Sequence, residues 1–220
     1  MDISLERKIF CSNIKIISFN TMALALAYIG AIYLMINKND LSEYSLIFMG
    51  EQLISPIGIV MFVRVVLIED EYEISEMVYS KVYPYWKTIL YRIIIISIQL
   101  FLVLGISFIP LKFVGIDFHI ANILFGSYAT TLYLGVIAMI LGYMTREISV
   151  GILAPFLYYF FEMFSKGRFT KGLYLFGMGV GNYIGKIKLF SIAIAAIIVF
   201  LFITNRNHTK LSRYYSKSDR

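Results

Sequence analysis

The chain has 220 residues, of which 59% are hydrophobic and only 15% are charged. A water-soluble domain carries about 25% charged residues, so the composition excludes an ordinary soluble fold and predicts an integral membrane protein. The net charge of +6 is better explained by basic residues flanking membrane spans than by a nucleic-acid partner. The single cysteine, Cys11, excludes an intramolecular disulfide and a thiolate metal cluster.

Six apolar segments are candidate membrane spans, since a spanning helix needs about 20 apolar residues. The second span contains Glu51, Pro56 and Arg64, and the short fifth span contains Glu162. No remaining segment is long enough for a soluble domain. We therefore predict an all-α integral membrane protein with one transmembrane domain over residues 1–220. Its predicted spans are 16–36, 46–68, 88–111, 120–144, 148–164 and 187–204.

The distribution of Lys and Arg predicts that both termini are cytoplasmic. In that orientation thirteen of the twenty basic residues lie on the inner side and seven on the outer side. An excess of positive charge in the cytoplasmic flanks is what membrane insertion favours. Five of the seven outer residues, Lys186 among them, fall within residues 165–188.

Five acids lie within residues 69–76, in the connection between the second and third spans. Glu69, Glu73 and Glu76 share one face of an amphipathic helix predicted over residues 71–82, and Pro84 separates that helix from the third span. The anionic inner leaflet repels an acidic helix, so a basic protein partner explains the charge better. Solvation of a loop by charged residues is the alternative.

This passage, EDEYEISEMVYSKVYPYWKTILYR, resembles the same connection in permease subunits of ABC transporters of the ABC-2 exporter type. That family has six spans, cytoplasmic termini and a short coupling helix between its second and third spans. In this chain Glu71 or Glu73 takes the family's acidic position, Pro84 its proline and Lys87 its basic residue. The glycine that commonly follows the acids is absent. The resemblance covers the layout of nearly the whole chain.

The resemblance implies that the coupling helix docks into a separate ATPase subunit. It further implies two such ATPase subunits, which bind ATP and Mg, and a second permease subunit that is identical or homologous. The docking residues that it implies are Glu69, Glu71, Tyr72, Glu73, Glu76, Met77, Tyr79 and Ser80.

The sequence does not predict an enzyme. It contains no Walker A motif, no histidines at metal-ligand spacing and no Gly-x-Ser-x-Gly motif, so we expect no cofactor or metal in this chain. We expect a multi-pass protein of the bacterial plasma membrane. The bias toward Ile, Lys, Asn and Tyr is typical of a Gram-positive bacterium with AT-rich DNA.

Glu51, Arg64 and Glu162 are candidates for a translocation path, because ionisable residues inside spans often mark one. Thirteen residues, or about 20 Å of helix, separate Glu51 from Arg64, so these two cannot pair. Anchoring at the membrane boundary is the alternative for both. Glu162 lines an outer gate or forms a surface pair with Lys166 or Arg168, four or six residues further on. The spacing of four is a contact on one helix face, and the surface pair is favoured.

Residues 167–185 contain six glycines among apolar and aromatic side chains. This composition favours a re-entrant or interface-lying hairpin between the fifth and sixth spans, an element that ABC-2 permeases also have. A flexible loop is the alternative.

The predicted function is that of a permease subunit which exports a hydrophobic or amphipathic substrate, such as a peptide, lipid or drug. The alternative is a six-span membrane protein outside the ABC class, namely an immunity or scaffold protein or a gradient-driven carrier.

Overall fold

A computed structural model describes the backbone of residues 3–35, 42–67, 85–113 and 118–218, and within these ranges all regular structure is helical. The coupling helix predicted over residues 71–82, with its eight docking residues, lies outside the described residues. The α-helices are α1 Ile3–Met35, α2 Glu43–Phe48, α3 Ile57–Val63, α4 Tyr85–Phe113, α5 Ile120–Thr145, α6 Ile148–Ser165 and α7 Tyr183–Ser218. A π-helical segment, Met49–Ile54, continues α2, and two short 3-10 turns, Lys171–Leu173 and Gly177–Val180, lie between α6 and α7.

Within the residues that the structure describes, five helical stretches are long and apolar enough to cross a membrane, and they indicate a multi-pass membrane protein. Within α1 the apolar stretch Met22–Leu34 is shorter than a full span. The prediction of an all-helical membrane fold is therefore confirmed, whereas six spans and cytoplasmic termini stay predictions. The five stretches are Glu43–Val63, Tyr85–Phe113, Ile120–Thr145, Ile148–Ser165 and Tyr183–Arg206.

Helix α5 forms the centre of the bundle, where it packs against α3, α4, α6 and α7. Its buried face includes Leu132, Leu134 and Met139. The most apolar window of α5 is 67% buried, whereas those of α6 and α7 are only 22% and 28% buried. The last two helices therefore form the outer wall of the bundle and present most of their apolar surface to its surroundings.

Small residues let α3 and α5 approach closely. A Cβ atom added at Gly58 would collide with the backbone carbonyl and the side chain of Thr131, and one at Gly135 would collide with the ring of Phe62. Glycine at such crossings is how membrane helices gain packing contact, since lipid supplies no hydrophobic force between them.

The connection between α5 and α6 is a tight turn over residues 146–147, between the predicted spans 120–144 and 148–164. Arg146 ends α5 in the left-handed region, with φ 56, and Glu147 is extended before α6 begins. So short a connection makes the two helices antiparallel neighbours.

Arg92 ties three parts of the bundle together where the second span ends. The guanidinium is buried in α4. Its Nε donates to Oδ1 of Asn13 in α1 at 2.8 Å, and its Nη1 donates to the carbonyl of Val65, just after α3, at 3.0 Å. The connection over residues 68–84 therefore follows the second span, Glu43–Val63, which we call span 2, and precedes α4 at the same end of the bundle.

Candidate functional site

The second span is interrupted at Pro56, and the interruption shapes the region around Glu51. Pro56 has no N–H, so the carbonyl of Gln52 loses the partner that a regular α-helix would give it. The preceding turn is widened into the π-helical segment Met49–Ile54, a feature that often occurs at functional sites.

Three successive carbonyls of this interrupted turn accept hydrogen bonds from side-chain hydroxyls. Ser55 donates to Glu51 O at 2.5 Å, Tyr159 of α6 donates to Gln52 O at 2.6 Å, and Tyr28 of α1 donates to Leu53 O at 2.8 Å. A carbonyl without a partner is costly inside a membrane. The break in span 2 is therefore stabilised by α1 and α6, and it fixes where the side chain of Glu51 lies.

Glu51 and Lys186 form a buried ion pair between span 2 and the first turn of α7. The side chains are 2% and 1% exposed, so both charges are removed from solvent. The carboxylate of Glu51 also accepts a hydrogen bond from the backbone N–H of Met178 at 3.2 Å and interacts with the N–H of Gly179. Each of these contacts offsets part of the cost of burying the charge.

The ammonium group of Lys186 has three acceptors, which matches its three protons. Besides Glu51 it donates to Oγ1 of Thr130 in α5 at 2.6 Å and to the carbonyl of Leu175. The Thr130 hydroxyl lies 3.2 Å from the same Leu175 carbonyl. We call Glu51, Lys186, Thr130 and the carbonyl of Leu175 the ionic cluster. It joins span 2, α5, α7 and the segment between α6 and α7.

Glu162, in the last turns of α6, is buried rather than on the surface, so the favoured surface pair with Lys166 is wrong. Its Oε2 accepts a hydrogen bond from Thr170 at 2.9 Å, and the carboxylate interacts with the N–H of Leu175. Its Oε1 has no hydrogen-bond partner within the described residues. The chain turns back after α6, so that Thr170 contacts the carboxylate instead of the predicted partner Lys166.

The segment between α6 and α7 is held to the bundle by both buried carboxylates. Glu162 contacts the N–H of Leu175, while Glu51 contacts those of Met178 and Gly179. The side chains of Leu175 and Met178 are buried, and a Cβ atom at Gly126 of α5 would collide with Met178. The segment is therefore part of the packed structure and is not a solvated loop.

A half-open groove runs between α1, span 2 and α6, and we call it the apolar groove. Its volume is about 640 Å³. Its lining is almost wholly aliphatic and aromatic and includes Leu24, Tyr28, Leu53, Val60, Phe156 and Phe160. The hydroxyls of Tyr28 and Tyr159 that lie here are committed to the carbonyls of span 2, which leaves the groove with little polarity.

A second cavity, which we call the polar pocket, lies between the start of span 2, the end of α6 and the following segment. Its volume is about 440 Å³, and its polar lining residues are Tyr44, Glu51, Gln52, Lys166 and Tyr174. Burial, with the nearby carboxylates of Glu162 and Glu51, raises the pKa of Tyr174 above its ordinary value. This hydroxyl is therefore a neutral hydrogen-bonding group at physiological pH.

The three residues predicted to line a translocation path lie in different surroundings. Glu51 reaches the polar pocket and Glu162 is buried one segment away, whereas Arg64 is exposed at the end of α3 and lies outside both cavities. Whether any of them contacts a transported molecule stays a prediction. Within the described part of the chain, no group of three or more His, Cys, Asp or Glu side chains is placed to hold a metal ion.

Sequence reasoning missed Lys186, Thr130 and Thr170. Lys186 was assigned to an outer loop, but α7 begins at Tyr183, so the lysine lies inside the helix and is buried. A signal was present: a lysine in the first turn of an apolar helix opposes the helix dipole and calls for an acidic partner in a neighbouring span.

Comparisons of the chain with protein-family models, with curated proteins and with solved structures found no match.

Proposed function

We propose that this chain is the membrane-spanning permease subunit of an ATP-driven exporter, which moves a hydrophobic or amphipathic substrate outward. The observation that carries the proposal is the acidic passage over residues 69–76, followed by Pro84 and placed between span 2 and α4. In the proposal this passage docks onto a partner ATPase. Closure of that ATPase around ATP would then move the membrane helices.

The way the connection is anchored supports this proposal. It follows Leu67, which is still buried, and precedes α4. Arg92 of α4 donates a hydrogen bond to the carbonyl of Val65, two residues before Leu67. Asn13 of α1 is bound to the same guanidinium. A partner that pulls on the connection would therefore act at once on α1, span 2 and α4. This mechanical link is what a coupling element requires.

The interior of the bundle supports the proposed class of substrate. The apolar groove and the polar pocket both use Gln52 as a lining residue, so apolar and polar surfaces adjoin. The segment between α6 and α7, which lies against the ionic cluster, is the proposed re-entrant element between the fifth and sixth spans.

The test is co-purification of the tagged chain with a candidate ABC ATPase, such as one encoded beside it. We expect a stable complex that is lost when Glu69, Glu73 and Glu76 are all changed to Lys, because reversed charges repel a basic docking cleft. The matched control is Glu147→Lys in the exposed turn between α5 and α6, which should leave the complex intact. A complex that survives the triple reversal would refute acidic docking.

A gradient-driven carrier is the second candidate, and the buried Glu51–Lys186 pair together with Glu162 favours it, since intramembrane ionisable groups are typical of carriers. Transport by vesicles that contain the chain decides between the two. Export that requires ATP and continues after ionophores collapse the ion gradients supports the ABC proposal. Export that stops with the gradients and needs no ATPase supports the carrier.

A further inference from the structure

We propose that the apolar groove and the polar pocket together form a binding site for one anionic phospholipid of the surrounding bilayer. An acyl chain lies in the groove, and the negatively charged head group lies at the mouth of the pocket beside Lys166. This proposal does not depend on the transport function, because it concerns the single chain in its membrane.

The groove has the shape and chemistry for an acyl chain. Three membrane helices form its walls, and its volume of about 640 Å³ lies within the roughly 300–1,000 Å³ of ordinary ligand sites. The hydroxyls of Tyr28 and Tyr159 donate hydrogen bonds to backbone carbonyls of span 2, so the groove offers few groups that would bind water. Leu24 and Phe160 of its lining are exposed, so the groove is open on one side.

The polar pocket continues the groove. Gln52 lines both cavities, and the ring of Tyr159 in the groove lies 5.4 Å from that of Phe176 in the pocket. A molecule with a long apolar part and a polar end therefore fits the two together better than it fits either one alone.

The charge at the mouth selects an anionic head group. Among the described residues that line the pocket, Glu51 is the one acid, and the buried Lys186 neutralises it. Lys166 is exposed and lines the same pocket, where it adds a positive charge. Tyr44 and Tyr174 place hydroxyls in the same lining. A phosphate oxygen accepts hydrogen bonds from both kinds of group.

The experiment measures lipid binding to the purified chain by native mass spectrometry, with phosphatidylglycerol and phosphatidylcholine of identical acyl chains as probes. We expect the chain to prefer phosphatidylglycerol. Lys166→Gln should weaken that lipid by about fivefold, the value of one lysine near an anionic head group, and leave phosphatidylcholine unchanged. Arg168→Gln is the matched control: Arg168 is exposed two residues away but lies outside the lining, so it should change neither affinity by more than about twofold.

A second variant tests the groove. Ala27 lines the groove and is exposed to it, so Ala27→Trp should fill it and reduce binding of both lipids. Leu157→Trp, on the exposed face of α6 and outside the lining, is its control and should not. Helical circular dichroism and a single elution peak establish that each variant folds. If Ala27→Trp does not fold, Val60→Phe fills the same space.

Three results would overturn the proposal. Equal losses from Lys166→Gln and Arg168→Gln would mean that surface charge attracts lipid without a defined site. Undiminished binding to the folded groove-filling variant would place the lipid elsewhere. A concentration-dependent dimer that Ala27→Trp abolishes, with lipid binding unchanged, would assign the groove to a second copy of the chain.

Discussion

Removal of the ammonium group of Lys186 tests the ionic cluster most directly. Lys186→Met keeps most of the side-chain volume but leaves the carboxylate of Glu51 buried without its counter-ion. Breaking a buried ion pair from one side costs about 3–5 kcal/mol. The backbone N–H groups of Met178 and Gly179 still contact Glu51, so we expect the lower end, about 3 kcal/mol, or about a hundredfold in the folding equilibrium.

The double variant Glu51→Gln/Lys186→Met should be much more stable than the sum of its single changes predicts. It has no buried charge, and its amide oxygen still accepts from Met178. The carbonyl of Leu175 keeps a donor nearby, because the hydroxyl of Thr130 lies 3.2 Å away. Replacing a buried ion pair by neutral groups is often close to neutral in stability.

The assay is reversible unfolding in mixed detergent micelles, followed by circular dichroism, for the wild type, both single variants and the double variant. The control is Lys188→Met, an exposed lysine in the same turn of α7, which should change stability by less than about 0.5 kcal/mol. If the single effects add to within about 0.5 kcal/mol, the two side chains are not coupled. The ion pair would then not be what stabilises this region.

Two further predictions concern packing and Glu162. Gly58→Ala should destabilise the bundle by about 1–3 kcal/mol, because the added methyl group overpacks the crossing of α3 and α5. The control is Gly30→Ala, where a Cβ meets no atom within 4 Å, and it should be neutral or stabilising. The same unfolding assay compares the two variants. Thr170→Val should lower the free energy of unfolding by about 1–3 kcal/mol, because it removes a hydroxyl donor from the buried Glu162. Thr170→Ser keeps that donor and should lower it less. Equal losses of stability in the two variants would assign the effect to packing.

The long apolar helices could be predicted closely because a membrane span is set by length and composition alone. The prediction 120–144 became Ile120–Thr145 and the prediction 148–164 became Ile148–Ser165. The π-helical segment in span 2 could not be predicted in the same way. It depends on Pro56 and on tyrosine hydroxyls of α1 and α6 that donate hydrogen bonds to carbonyls of the interrupted turn. Periodicity along one segment carries no information about partners from elsewhere in the chain.

The candidate site was predicted only in part, for a similar reason. Glu51 and Glu162 were recognised because charges are rare in apolar segments. Their partners were not recognised, because both fell in a stretch interpreted as an outer loop or hairpin. Lys186 is far along the chain from Glu51, and Thr170 is eight residues from Glu162. The fold brings Thr170 of the segment after α6 to Glu162 and Lys186 of the first turn of α7 to Glu51.

The interruption at Ser55 and Pro56 divides span 2 into two parts with different anchors. The part that carries Glu51 is fixed to α7 through Lys186 and to the segment before α7 through Met178. The part formed by α3 packs closely on α5 and leads to Val65, just after α3, whose carbonyl accepts a hydrogen bond from Arg92. In the proposed coupling, a force applied at residues 68–84 reaches α1, α3 and α4 together through Arg92, and we predict that span 2 bends at the interrupted turn. Because residues on both sides of that turn line the apolar groove, bending there would change the width of the groove while the ionic cluster stays in place.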